Sequence, residues 1–454
     1  MRLRHAVHCS ARQRVRHRSL GGLCLVSETS DTLTRVRVVI TTAGSRGDVA
    51  PYTGLARRLK DAGHEVVIAT HEPFRAFVEA HGIGFAALAA DPRQLLASEQ
   101  GRRWQRSASG PVGAVRMVGL MRPYAREMAD RAVAATEGAD VILCSSLTSP
   151  NYHVGQARGI PTMGVYLQPM DPTREFSSLL TGGRRRYGGW GNRASARLAG
   201  AMLGLPFMGE VNRVRQRLGL PPTTYRALRQ ELAERRWPIL HGWSRHVLPR
   251  PADWRAGLDV VGYWWPDPDQ NWTPASELVD FLDAGDPPVL IGFGSMAAGT
   301  GDAERLADIA VEAVRKVGVR GILQAGWSGL TASGDDVLAI GEAPHEWLLP
   351  RTAAVVHHAG AGTTGATARA GIPAVPVPVL ADQPFWADRL RQLGVASEPI
   401  PFRRLTADRL AFALRQVLSV PSYRARAETL AGRLAEEDGA AAVVDAVARL
   451  TENR

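Results

Sequence analysis

The stretch Val355-Val-His-His-Ala-Gly-Ala-Gly-Thr-Thr-Gly-Ala-Thr-Ala-Arg-Ala-Gly-Ile-Pro373 decides how the chain is read. Its β-branched start predicts a buried strand ending at His358, followed by a small-residue loop through Gly360 and Gly362 and a helix from about Thr363. Gly371 then stops that helix, because glycine takes the left-handed conformation cheaply, and Pro373 cannot continue it. A strand, a glycine loop and a helix start together make an anion site. The N–H groups of the first turn have no intrahelical acceptor, and the macrodipole adds about half a positive charge. The stretch is expected to hold a diphosphate.

Outward from it, strands and helices alternate in two series. The first opens with the apolar run Val36 to Thr42, the loop Ala43-Gly-Ser-Arg-Gly-Asp48, and a helix from Val49 to Ala62 with Pro51 in its first turn. Tyr52, Leu55, Ala56 and Leu59 fall on one face of that helix, and Glu65 to Thr70 is the next strand, completing a βαβ unit. The second series opens with Pro288 to Phe293, and its strands include a Pro-broken run from Val375 to Val379. Two such series predict an α/β chain of two facing Rossmann-like, doubly wound domains with a cleft between them. The predicted boundaries are a basic extension over 1–35, a first domain over 36–245, a linker over 246–285, a second domain over 286–436 and a terminal helix over 437–454 that packs back on the first domain. Trp264 and Trp265 are read as packing the junction. The Gly-, Arg- and Pro-rich excursion over 168–236 is read as a lid or a substrate wall, with 181–191 a surface loop as the bland alternative.

Composition narrows the classes. The chain has 454 residues, is 45% hydrophobic and 22% charged, and carries a formal charge of +11. Lys60 and Lys316 are its lysines, so 53 of the 55 basic residues are arginine, a bias that travels with excess Ala, Gly and Pro. Residues 1–35 hold seven arginines against Glu28 and Asp31, a net +5, with no signal-peptide apolar run and no aromatic residue between the arginines. They read as a disordered extension, or as the product of an over-early start codon, and not as a nucleic-acid arm. No run of 18 apolar residues predicts a membrane span. Cys9, Cys24 and Cys144 have no metal-ligand spacing and fit a reducing cytosol. The first strand is followed by Gly44-Ser-Arg-Gly47 and not by Gly-x-Gly-x-x-Gly, and no phosphate-binding Gly-Lys-Ser/Thr loop occurs. Nicotinamide-dependent oxidoreduction is therefore weakly signalled and a P-loop NTPase is excluded.

Four segments resemble one family. They are Gly44 to Pro51 with Gly63-His64, the run Gln168-Pro-Met-Asp-Pro-Thr-Arg-Glu-Phe176, the run Ile291-Gly-Phe-Gly-Ser-Met296, and His357 to Thr364 with Ala381-Asp-Gln-Pro-Phe-Trp386. The chain resembles the inverting, nucleotide-sugar-dependent family 1 glycosyltransferases of GT-B fold, in the bacterial natural-product and sterol branch. The resemblance implies transfer of a hexose or deoxyhexose from a UDP- or dTDP-sugar to a hydroxyl of an apolar polyketide, sterol or glycopeptide, without cofactor or metal. It implies that Ser295, His358, Gly360, Gly362, Thr363 and Thr364 contact the donor diphosphate, and that Asp382 and Gln383 hydrogen-bond the sugar. Asp48 stands where much of the family has a general-base histidine, as it does in the glycopeptide and sterol branch. Asp48 also suits a helix cap, and Asp382 an N-cap before Pro384. Where many relatives stack a tryptophan on the base, this chain has Glu342, so base contact is expected from Ala343 and Trp327. Two rivals remain open at this level: a nucleotide-sugar 2-epimerase-type enzyme and a non-catalytic nucleotide-sugar-binding partner protein.

Overall fold

A computed structural model describes residues 35–89, 91–105, 111–181, 187–267, 272–294, 303–324 and 334–452. Residues 1–34, read as a basic extension, lie outside this set, as do Ser295 and Trp327.

Two all-parallel sheets organise the described residues. The first contains β1 (Arg37–Thr41), β2 (Glu65–His71), β3 (Gly84–Leu88), β4 (Val141–Cys144), β5 (Thr162–Tyr166), β6 (Ile239–His241) and β7 (Leu258–Val260), in the order β3-β2-β1-β4-β5-β6-β7. The second contains β8 (Val289–Gly292), β9 (Gly321–Gln324), β10 (Val337–Ile340), β11 (Ala354–His357) and β12 (Ala374–Pro376), in the order β10-β9-β8-β11-β12. Central strands of parallel sheets are covered on both faces, which is why β1 and β11 read as continuous apolar runs. Val38, Val39, Ile40 and Val356 have no exposure at all. In each sheet the strand order reverses once near the middle, between β1 and β4 and between β8 and β11. Open parallel sheets bind ligands beyond the strand ends at such reversals.

Several expectations need correction. The first helix runs Arg46–Asp61, not from Val49, because Ser45 is extended and Asp48 folds back onto it, extending the helix upstream. Pro51 therefore lies past the first turn, where its missing N–H leaves the Gly47 carbonyl without its helical donor. The helix after β11 runs Ala361–Ala370, with Gly360 as its N-cap, so it too starts earlier than Thr363. β11 ends at His357, one residue before the expected end. The run to Val379 is strand only through Pro376; its prolines lack ladder donors and sit on the sheet's edge strand. The segment read as a linker over 246–285 also supplies β7, the last strand of the first sheet.

The junction is tightly packed. Trp264 is 2% exposed, lies 5.6 Å from the Tyr52 ring and donates its indole N–H to the Gly439 carbonyl at 3.1 Å. The terminal helix Gly439–Glu452 shares a core with β1, β4 and the Arg46–Asp61 helix through Ala440, Val443 and Val447. Tyr263, beside Trp264, meets Gly365 of the second-sheet helix so closely that an added Cβ would stand 2.6 Å from its ring. The same short segment thus touches both sheets' helices. No helix among the described residues is long and apolar enough to cross a membrane. Truncating a buried aromatic side chain removes about 3–5 kcal/mol. Trp264→Ala is therefore expected to lower the unfolding free energy by about that amount, read by urea denaturation; a change under about 1 kcal/mol would show that the junction does not hold the chain together.

Candidate active site

The loops after β1 and β11 place two helix starts in contact. A Cβ on Gly362 would lie 3.8 Å from the Gly47 carbonyl, so the Ala361–Ala370 helix begins against the first turn of the Arg46–Asp61 helix. Between the sheets lies a cavity of about 1590 Å³ whose lining includes Asp48, Ala343, His358, Gly360, Gly362, Thr363, Asp382 and Gln383. Single-ligand pockets usually enclose about 300–1,000 Å³. This volume suits two molecules side by side.

On the β1 side, Asp48 is held from two directions. Its Oδ2 accepts from the Ser45 N–H at 2.9 Å and the Ser45 hydroxyl at 3.0 Å, while Oδ1 accepts from Gln168 Nε2 at 3.3 Å. Gly44 lies so close that a Cβ there would sit 2.4 Å from Oδ2, and its φ of +135° suits glycine. The Gly44 N–H donates to His71 Nε2 at 3.0 Å, leaving Nδ1 to donate to the Ala89 carbonyl at 2.9 Å. Burial pushes the Asp48 carboxyl up, against the opposing pull of its hydrogen bonds from Ser45 and Gln168. Oδ1, with one long contact, is the oxygen better placed to take a proton.

On the β11 side, glycines wrap the His358 ring. A Cβ on Gly294 would lie 2.8 Å from its Cε1, and one on Gly360 would lie 2.5 Å from its Nε2. Its Nδ1 is buried without a partner among the described residues, and so is the hydroxyl of Thr364. Thr364 donates its own N–H to Gly360 in the helix, so the amides of Ala361, Gly362 and Thr363 are the ones with no helical acceptor. Burial, then the neighbouring His345 imidazole, pushes His358 down to about 4. Burial and Arg46 push His345 down to about 4 as well. Both rings are therefore neutral near pH 7, and what they and the helix start offer a ligand is N–H and O–H dipoles.

Asp382 and Gln383 begin the Gln383–Leu393 helix. Asp382 occupies the N-cap position, yet its side chain makes no cap. Its Oδ2 accepts from the Trp386 indole N–H at 2.9 Å. Gln383 is 3% exposed, and its amide oxygen accepts from the N–H groups of Val379 at 2.9 Å and Leu380 at 3.2 Å. That orientation leaves its NH2 as the group to offer a ligand. Burial first, and the charge of Asp48 second, push Asp382 up to about 7. Ala343 has its carbonyl engaged by Gln324 Nε2 at 3.3 Å. Three residues left without a role by the sequence also line this cavity. Arg46 pairs with Glu342 across the cleft and lies 4.6 Å over the Phe77 ring. Gln168 was legible only as a member of a quoted run, and His345 was not singled out.

The comparisons with known proteins agree with one another. The family model "Glycosyltransferase family 28 N-terminal domain" matches residues 38–126, and "Erythromycin biosynthesis protein CIII-like, C-terminal domain" matches residues 319–450. Over 420 residues the chain is 37% identical to the O-mycaminosyltylonolide 6-deoxyallosyltransferase of Streptomyces fradiae, covering 89% of this chain and 95% of that protein. Over 423 residues it is 35% identical to a sterol 3-beta-glucosyltransferase of Arabidopsis thaliana, covering 90% of this chain and 65% of that protein. The chain thus spans slightly under two thirds of the plant relative's length. The crystal structure of the glycotransferase of kitacinnamycin superposes with a TM-score of 0.68 at 19% identity, covering 92% of this chain and 99% of that one. At that identity the likeness speaks for the fold.

A carboxyl raised in the folded state stays protonated where the unfolded chain has already ionised. With Asp382 near 7 against an ordinary 3.8, the folded state holds the extra proton between about pH 4 and pH 7, so this group removes stability as pH rises through that window. Asp382→Asn is therefore expected to gain melting temperature relative to wild type as pH goes from 4 to 7, read by calorimetry. A difference that stays flat would show that Asp382 titrates normally.

Proposed function

Since the chain belongs to the nucleotide-sugar-dependent family 1 glycosyltransferases of GT-B fold, we propose that it moves a hexose or deoxyhexose from a UDP- or dTDP-sugar to a hydroxyl of a hydrophobic natural product. The observation that carries this reading is the shared cavity, with the Asp48 carboxylate on one wall and an open helix N-terminus beside His358 on the other. A displacement at an anomeric carbon needs a base on the side of attack and anion stabilisation on the side of departure.

In this reading the donor diphosphate lies against the amides of Ala361, Gly362 and Thr363. The Thr364 hydroxyl, unpartnered among the described residues, and the His358 ring complete the site, and the family likeness adds Ser295. The acceptor oxygen forms a bond to the anomeric carbon as the bond from that carbon to the diphosphate oxygen breaks. Its proton passes to Asp48 Oδ1, and the electron pair leaves with the diphosphate. Dipoles aimed at the departing oxygen strengthen as its charge grows, and so favour the transition state over the ground state. A raised Asp48 suits this task, because a base nearer the working pH takes a proton more readily than an ordinary aspartate. Asp382 and Gln383 bind the sugar hydroxyls, the first as acceptor and the second through its NH2. Ala343 is the described residue proposed to meet the base.

The acceptor lies on the first-sheet side. There the cavity continues between Leu95, Trp104, Met117 and Met121 on one hand and Leu203, Phe207 and Val211 on the other. These side chains make an apolar chamber, in keeping with the sterol and macrolide names of the relatives.

A positioned base contributes about 10²–10⁴-fold. Asp48→Asn is expected to lower kcat for transfer by a factor in that range while UDP or dTDP still raises the melting temperature. Undiminished transfer by Asp48→Asn would remove Asp48 from the chemistry. Absence of any thermal shift with UDP, dTDP or their sugars in the wild-type protein would overturn the donor reading.

A further inference from the structure

The segment 168–176 carries part of the family resemblance, yet only its first residue enters the transfer described above. Its path is fixed at several points. Gln168 touches Asp48, Thr173 and the Arg174 N–H bond to Asp253, and Phe176 lies 5.2 Å from Phe385 of the second domain. Between these anchors stands Asp171, whose side chain is 8% exposed. Its Oδ1 accepts from the Arg229 guanidinium at 2.9 Å, while Oδ2 is buried with no hydrogen-bond partner among the described residues. Asp171 lines the same cavity as Asp48, on the side built from the first sheet and its helices, beside Leu228, Trp243 and Trp254.

A buried carboxylate oxygen without a donor is costly, because desolvation removes the hydrogen bonds that water would give it. A donor delivered through the cavity would complete it. Two classes of group can do so, a cation or a hydroxyl. Arg229 and Arg255 both line the cavity around this carboxylate, so a further cation meets two like charges there. A hydroxyl meets no such repulsion, and its own oxygen can accept from the same guanidinium groups.

We propose that Asp171 is an acceptor-specificity residue, whose free oxygen accepts a hydrogen bond from a second hydroxyl of the acceptor, so that the chain selects apolar polyols over apolar mono-alcohols. The inference rests on the reading of this cavity as a glycosyl-acceptor site. Asp171 is three residues from Gln168, so the two backbone positions are no more than ~11 Å apart. A rigid polycyclic or macrocyclic acceptor can therefore present one hydroxyl to Asp48 and another to Asp171. Sites built to bond a hydroxyl discriminate strongly against analogues that lack it, because their own polar group is then left unpaired.

The test measures kcat/KM with UDP-glucose and dTDP-glucose on two matched pairs: a steroid 3β-alcohol against its 3β,17β-diol, and a macrolactone diol against its monodeoxy analogue. The wild-type protein is expected to prefer the diol of at least one pair by about tenfold, the order of one hydrogen bond to a charged group. Asp171→Ala, and the isosteric Asp171→Asn if the alanine variant does not fold, are expected to bring that ratio near one by raising KM for the diol. The melting shift with dTDP or UDP should be unchanged. Equal use of mono-alcohol and diol by the wild-type protein, or a preference that survives both substitutions, would overturn the inference alone. Transfer to no member of either pair would overturn the glycosyl-transfer reading and the inference with it.

Discussion

Asp48 and Asp382 line one cavity, and burial together with the charge of the first pushes the second up to about 7. Like charges on two buried carboxyls cannot both be held cheaply, so one carboxyl tends to keep its proton. The groups bonded to this pair add no charge: Ser45 and Gln168 on Asp48 and the Trp386 indole on Asp382, while burial keeps the His358 imidazole neutral. In the proposed reading an incoming diphosphate meets helix-start dipoles already aimed at it. In that reading the proton on the acceptor hydroxyl needs a destination, and Asp48 is the carboxyl proposed to take it.

That arrangement depends on where each sheet reverses its strand order. β1 and β11 each lie at such a reversal, and each is followed by a tight glycine-containing loop and a helix. Gly44 lets Asp48 close onto Ser45, and Gly294 and Gly360 let the backbone approach the His358 ring. Any side chain at these positions would collide with Asp48 or with His358. The two helix starts meet because Tyr263 and Trp264, joining the sheets, pack on Gly365 and Tyr52 with no room to spare.

How much of this could be read from the chain follows from range. Local signals worked where the physics is local: β1 and β11 as apolar runs, and Gly371 as a helix stop with φ of +67°. Helix starts were missed by two or three residues, because the Ser45–Asp48 contact that extends the first helix resembles a simple cap in sequence. The strand at 258–260 was hidden in a segment dense in Pro and Trp, since three residues are too few to show a period. Pairings across long separations left no trace at all. Arg46 meets Glu342 from 296 positions away, and Asp171 meets Arg229 from 58. Asp48 and Asp382 were legible singly, through motif likeness; that they share one field was not.

The central claim is that base and leaving group act from opposite walls of one cavity in a single displacement. The most direct measurement is the anomeric configuration of the glycoside formed from an α-linked nucleotide hexose, read from the proton coupling of the anomeric hydrogen by NMR. The geometry predicts the β-linked product, with no α-linked product formed by the enzyme. A product that keeps the donor's configuration would contradict it, because retention needs two successive displacements or departure and attack on the same face.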